Sequence, residues 1–178
     1  MNLKEFIVDS INQSALQVFS TMLGVELAPG AATFENAEPD INCEVISLIG
    51  LAGSWAGSGS LSCSAPFACR VCANMLMTEA RAVNEEVLDA VAELTNMIVG
   101  NVKTELESKL GPLGLGIPTV VYGRNFKTKT GGSTDWISMR FNWDGDYLLV
   151  KLCLAPHDKD AHHRIRLFEE EGTLAVSK

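Results

Sequence analysis

Asp89-Ala-Val-Ala-Glu93-Leu-Thr-Asn96-Met-Ile-Val-Gly100-Asn-Val-Lys103 lies inside the strongest helical pattern of the chain. From Val83 to Leu110, the apolar residues Val87, Val91, Leu94, Ile98, Val102 and Leu106 return every three or four positions, and Gly111-Pro112 stops the run. On a wheel of 100° per residue, Val91, Leu94, Ile98 and Val102 fall within an arc of about 80°. Asp89, Glu93, Asn96 and Gly100 gather near the opposite side, within about 60°. Such a helix buries one stripe and displays acid, acid, amide and glycine on the other. Gly100 costs a helix interior roughly 1 kcal/mol against alanine. On an exposed stripe, its missing side chain lets a partner's backbone come close.

Before this helix, Ile7, Ile11, Ala15, Val18 and Met22 predict an amphipathic helix from about Leu3 to Leu23, with Gly24 as its stop. Pro29 to Asp40 reads as a loop. Cys43 to Leu51 reads as a strand, and Trp55-Ala-Gly57-Ser-Gly59 reads as the turn into a second strand-like run, Ser60 to Ala65. Ser64 can cap, and Pro66 can open, a short helix that carries Phe67, Val71 and Met75 inward. After Gly114 and Gly116, strands are expected at Thr119 to Tyr122, Trp136 to Phe141 and Tyr147 to Leu154. A Thr/Gly/Ser loop, Thr128 to Thr134, separates the first two of these, and Asp144-Gly145-Asp146 makes a hairpin turn between the last two. His157 to Lys178 is charged and weakly patterned, a surface tail or a short extra element.

The same order of features occurs twice. Gln13, Gln17, Ser20 and Gly24 align with Asp89, Glu93, Asn96 and Gly100 at an offset of 76. Leu61-Ser-Cys63-Ser-Ala-Pro66 aligns with Lys151-Leu-Cys153-Leu-Ala-Pro156 at an offset of 90. A Trp-x-Gly turn, Trp55/Gly57 and Trp143/Gly145, stands between these anchors in each copy at an offset of 88. Helix, hairpin and Cys-x-Ala-Pro, repeated, suggest two related halves sharing one sheet.

Composition bounds the class. The 178 residues are 47% hydrophobic and 20% charged, which excludes a disordered chain and suits one domain with a full apolar core. Fourteen Lys+Arg against 22 Asp+Glu give −8, which argues against a nucleic-acid surface, since that needs a basic stripe to displace counterions. Met1 to Phe6 lacks a basic region leading into an apolar one, so no signal peptide is expected. No apolar run approaches the ~18 residues of a membrane span. The odd set Cys43, Cys63, Cys69, Cys72 and Cys153 does not resemble a disulfide framework, and a cytoplasmic protein with reduced thiols is expected. Cys69-Arg-Val-Cys72 has redox or zinc spacing. It lacks a second pair, and the clustered histidines His157, His162 and His163 lie far along the chain, so core cysteines are the plainer reading.

Glu93 and Asn96 point the same way, about one turn apart. A carboxylate can grip a cation, and a carboxamide can both donate to and accept from a water molecule. Neither is a strong nucleophile, and no His or Cys accompanies them. Positioning water on a phosphorus held elsewhere is feasible chemistry, because phosphoryl transfer is driven by positioning and electrostatics. From spacing alone, a solvated helix face remains the plainer reading.

Asp89-x-x-x-Glu93-x-x-Asn96, with Pro118 downstream, resembles the Asp/Ser-x-x-x-Glu-x-x-Asn…Pro motif of the CheC/CheX/FliY phosphatases, which dephosphorylate the chemotaxis response regulator CheY. Thr21-Met-Leu-Gly24-Val-Glu26, the Ala65-Pro66 junction and the duplicated halves extend the resemblance from about Leu3 to Pro156. The length and the single intact motif make a CheX-like domain the nearest kind; Gln13, Gln17 and Ser20 replace the motif in the first half, which is expected to be structural. The resemblance implies an α+β fold: two pseudo-symmetric helix-plus-meander halves forming one largely antiparallel sheet with helices packed on it, over 1–156; it fades beyond Pro156, leaving 157–178 as a tail or short extra element. It implies a phosphatase of a CheY-type regulator. Glu93 would dock the regulator's lysine and Asn96 would orient the attacking water, with Asp89, Gly100 and Lys103 on the partner-binding face. It implies no cofactor of the chain's own, since the regulator supplies a divalent metal ion, magnesium by expectation. It also implies a homodimer. The alternative is a non-catalytic adaptor of chemotaxis or flagellar-switch signalling.

Overall fold

The computed structural model describes residues 2–35, 43–124 and 135–157. Asn2 opens helix α1 (Leu3–Val18) with a capping box: its side chain accepts the Glu5 N–H, and Glu5 accepts the Asn2 N–H, both at 2.9 Å. The helix widens into a π turn, Phe19–Leu23, and stops at Gly24. Ser64 caps helix α2 (Ala65–Leu76), with Pro66 in its first turn, as expected. Helix α3 (Glu85–Leu110) begins at Asn84, whose side chain accepts the Val87 N–H at 3.0 Å. Glu85 and Glu86 in its first turn and Lys109 in its last complement the helix dipole.

The strands are β1 (Ala28–Glu35), β2 (Val45–Gly53), β3 (Trp55–Cys63), β4 (Leu113–Leu115), β5 (Thr119–Tyr122), β6 (Trp136–Trp143) and β7 (Asp146–Pro156). They form one antiparallel sheet in the order β1-β6-β7-β3-β2, with β4 and β5 both on the outer side of β2. The order explains the repeat. β3 and β7 run side by side at the centre, Leu61 opposite Val150 and Ser60 opposite Lys151. The offset of 90 maps Ser60 onto Val150 and Leu61 onto Lys151, so a pseudo-two-fold passes between these two pairs. Each half then lends a strand to the other: β1 pairs with β6, and β5 pairs with β2.

Four expectations are corrected. Pro29 to Glu35 is strand β1 rather than loop, because it finds a partner in β6 (Ala32 opposite Met139, Phe34 opposite Ile137) that no local signal announces. Trp55 to Gly59 is strand rather than turn; the reversal lies at Gly53 and Ser54. The Trp-x-Gly correspondence therefore fails, since Trp55 starts β3 while Trp143 ends β6. The Gly/Pro segment after α3 contains a short strand, β4. The expected β6–β7 turn is present: Asp144 and Gly145 both have positive φ, 52° and 79°, as a two-residue type I′ hairpin requires. The expected loop at Thr128 to Thr134, His162 and His163, and the tail from 158 to 178 lie outside the described residues.

The helices share one face of the sheet. Leu61, Val150, Leu152, Met139 and Phe141 meet Ile11, Ala15, Phe67, Val91, Leu94 and Ile98 in a single core. α3 reaches the sheet closely at Gly59, where a Cβ would sit 3.1 Å from both methyls of Val99 and 3.4 Å from a methyl of Ile49. Phe19, Phe67 and Trp143 meet edge-on or tilted, with centroids 5.4–6.2 Å apart, and tie the π turn and α2 to the β6–β7 hairpin. Arg70 lies over Phe67 and Trp143 and pairs with Asp146 at 3.4 Å.

Candidate functional site

The site is built on the uncovered stripe of α3. α1 and α2 pack against this helix, and strands of the sheet lie beneath it. Ala90, Thr95, Val99 and Leu110 therefore join the expected core residues, and the buried arc widens to about 200°. Asp89 and Glu93 remain exposed, while Asn96 and Gly100 are half-buried where the stripe meets its surroundings. Buried Thr95, beside Asn96, turns its hydroxyl back to the Val91 carbonyl at 2.7 Å and so satisfies itself within the helix. Among the described residues, no side chain forms a hydrogen bond or ion pair with the side chains of Asp89, Glu93 or Asn96.

Gly100 and Lys103 stand differently. A Cβ at Gly100 would meet only a Leu115 methyl, at an ordinary 3.7 Å, so the fold does not need glycine there for space. Lys103, expected to face a partner, is half-buried and bound: its ammonium lies 2.9 Å from the Glu107 carboxylate one turn on. Glu107 also accepts the Leu113 N–H at 3.0 Å. That backbone donor and the Lys103 ammonium hold its carboxyl below the ordinary value. The spacing of Lys103 and Glu107, i and i+4, is the sequence signal for this helix contact; nothing local signals the use of Glu107 in anchoring β4.

Pro118 directly precedes β5, on the connection from β4. Leu115 of β4 touches the Gly100 side of α3, and the Gly116 N–H donates to the Gly50 carbonyl at 2.8 Å. The Gly100 end of the polar stripe is thus bordered by Leu115 of β4, a neighbour with no local signal in the sequence.

Cys69 and Cys72 are buried on α2, and burial pushes both thiols up, with Glu86 and Cys69 adding to the effect at Cys72. Among the described residues, no group of three or more His, Cys, Asp or Glu side chains could hold a metal ion. No described helix is long and apolar enough to cross a membrane.

The family model for the chemotaxis phosphatase CheX matches residues 45–142, which contain Pro118 and the whole of α3 with Asp89, Glu93 and Asn96. The CheY-P phosphatase CheX of Thermotoga maritima is 31% identical over 128 residues, covering 71% of this chain and 81% of that protein. The chain belongs to the CheX family. Its fold agrees: a CheC-like superfamily protein from Shewanella sp. PV-4 superposes with a TM-score of 0.76 at 28% identity, over 87% of this chain and 99% of that one. The CheX–CheY–BeF3–Mg2+ complex from Borrelia burgdorferi superposes with a TM-score of 0.70 at 26% identity, over 83% of this chain and 97% of the matched one. The expected α+β architecture of this CheX-family protein, one antiparallel sheet with helices on it, is the one observed.

Proposed function

We propose that this CheX-family protein accelerates hydrolysis of the aspartyl phosphate on a CheY-type response regulator. The supporting observation is the polar stripe: among the described residues, Asp89, Glu93 and Asn96 have no side-chain partner and lie on the side of α3 away from the sheet and the other helices. Membership of a family with a CheY-P phosphatase, and the complex of a relative with CheY, give the partner class.

The regulator brings the aspartyl phosphate, a divalent cation (magnesium in this reading) and a lysine; this chain adds no cofactor. Glu93 receives the lysine as an ion pair and lays α3 across the phosphorylation site. Asn96, one turn on, enters that site and orients a water by donating to and accepting from it. The water oxygen attacks phosphorus in line as the bond to the aspartyl oxygen breaks. The carboxylate and inorganic phosphate leave, and the water's proton goes to the phosphate. The chain supplies position and excludes stray water rather than covalent chemistry. Asp89 adds negative potential on the docking side. A homodimer in the cytoplasm completes the reading.

The test is phosphate release from a phosphorylated CheY-type regulator of the source organism, followed with a phosphate sensor. Wild type is expected to shorten the phosphorylation lifetime, and Asn96→Ala to remove about 100-fold or more of that acceleration. Equal lifetimes with and without the protein, across every such regulator of that organism, overturn the reading. Saturable binding without acceleration would identify the adaptor instead.

A further inference from the structure

Ile117 is 90% exposed, yet the backbone that carries it is pinned on both sides. β4 pairs Leu115 with Leu51, β5 pairs Thr119 with Leu48, and the Gly116 N–H donates to Gly50 at 2.8 Å, so three residues bridge two segments held to the same strand. Glu107 fastens the start of this unit to α3 through the Leu113 N–H. With its backbone already pinned, covering this side chain costs a partner no loop ordering, only the side chain's own rotamer freedom. The unit also borders the polar stripe, because Leu115 stands beside Gly100. Gly100 itself has room for a methyl group, so the monomer's packing gives no reason for its missing side chain.

We propose that the β4–β5 connection is a second docking contact for the phosphorylated regulator, with Ile117 entering an apolar depression of the partner while partner main chain passes over Gly100. This rests on the phosphatase reading above and adds an apolar anchor to its polar one. A partner lying along α3 from Glu93 to Gly100 continues onto Leu115 and Ile117. The exposed Phe34 lies on β1, at the opposite edge of the sheet, and has no part in this contact.

The experiment measures the affinity of the full chain for the organism's CheY-type regulator carrying Mg2+ and beryllofluoride, alongside phosphate release at saturating protein. Ile117→Asp and Ile117→Ala are expected to weaken binding at least tenfold and about threefold, with turnover at saturation and thermal midpoint near wild type. Gly100→Ala is expected to keep or raise the thermal midpoint while weakening binding several-fold. That opposition separates a contact role from a structural one. Phe34→Ser should bind like wild type. Ile117→Asp binding within twofold of wild type, while Asn96→Ala abolishes release, overturns the docking proposal and leaves the phosphatase reading standing. A wild type that neither binds nor dephosphorylates any such regulator overturns both.

Discussion

Lys103 Nζ lies 2.9 Å from Glu107 Oε1, and the same oxygen accepts the backbone N–H of Leu113 at 3.0 Å. One carboxylate thus joins a helix-surface ion pair to the start of β4. Its folded pKa lies below the ordinary 4.5, chiefly through the Leu113 N–H and then Lys103, against a smaller opposing effect of desolvation. For a carboxylate lowered on folding, the stabilisation is complete above the unfolded value and fades as pH falls through the folded one. Denaturant midpoints of wild type and Glu107→Gln should therefore differ most near neutrality and converge as pH falls through the lowered folded value. A difference that grows on acidification contradicts the assignment.

Gly59 is a packing position. A methyl group there would meet both Val99 methyls at 3.1 Å, whereas one at Gly50, on the neighbouring strand, meets nothing within 4 Å. Gly59→Ala should destabilise by about 1–3 kcal/mol through overpacking between sheet and α3. Gly50→Ala should stay within about 0.5 kcal/mol. Equilibrium unfolding of the two variants, side by side, checks the contrast.

These contacts also show what the sequence carries. The α3 stripe was legible because helix periodicity is local: Val87 to Leu106 name the buried side without reference to any other element. The Asp144-Gly145 turn was legible for the same reason. β1 was not, since Ala28–Glu35 owes its conformation to β6, more than a hundred residues later in the chain, and carries Pro29 and Gly30. The glycines of β3 misled in a similar way. Gly59 gives room to a helix rather than bending the chain, and only the tertiary partner Val99 distinguishes the two uses. Likewise, the family resemblance put Lys103 on the partner-binding face, but the competition between a partner and Glu107 is decided in three dimensions.

The thiols should be quiet in the native protein. Cys63, Cys69 and Cys72 are buried, and burial raises each of them, which lowers the thiolate fraction at neutral pH. Half-buried Cys43 is raised too, by desolvation, although the hydroxyl of Tyr147 opposes the shift. Aromatic-disulfide titration at about pH 8 should therefore be slow until denaturant is added. A rapid two-thiol phase mapped to Cys69 and Cys72 would restore a redox role for that pair.

Glu93 and Asn96 stand at i and i+3, with Cβ atoms about 5–6 Å apart, so a docked partner meets both at once. Their losses should nevertheless differ in kind. Glu93 is exposed and contributes charge: Glu93→Gln should weaken regulator binding roughly tenfold at low salt, with the gap narrowing as ionic strength rises, since screening removes what the carboxylate supplied. Asn96 is neutral, and its side chain has no hydrogen-bond partner among the described residues. Asn96→Ala should leave affinity and thermal midpoint nearly unchanged while turnover at saturation collapses, the signature of an interaction made only with the reacting water. Release kinetics over a range of protein and salt concentrations separate the two. Salt-independent weakening by Glu93→Gln would remove the ion pair from the mechanism, and an Asn96→Ala defect rescued by excess protein would make Asn96 a docking residue.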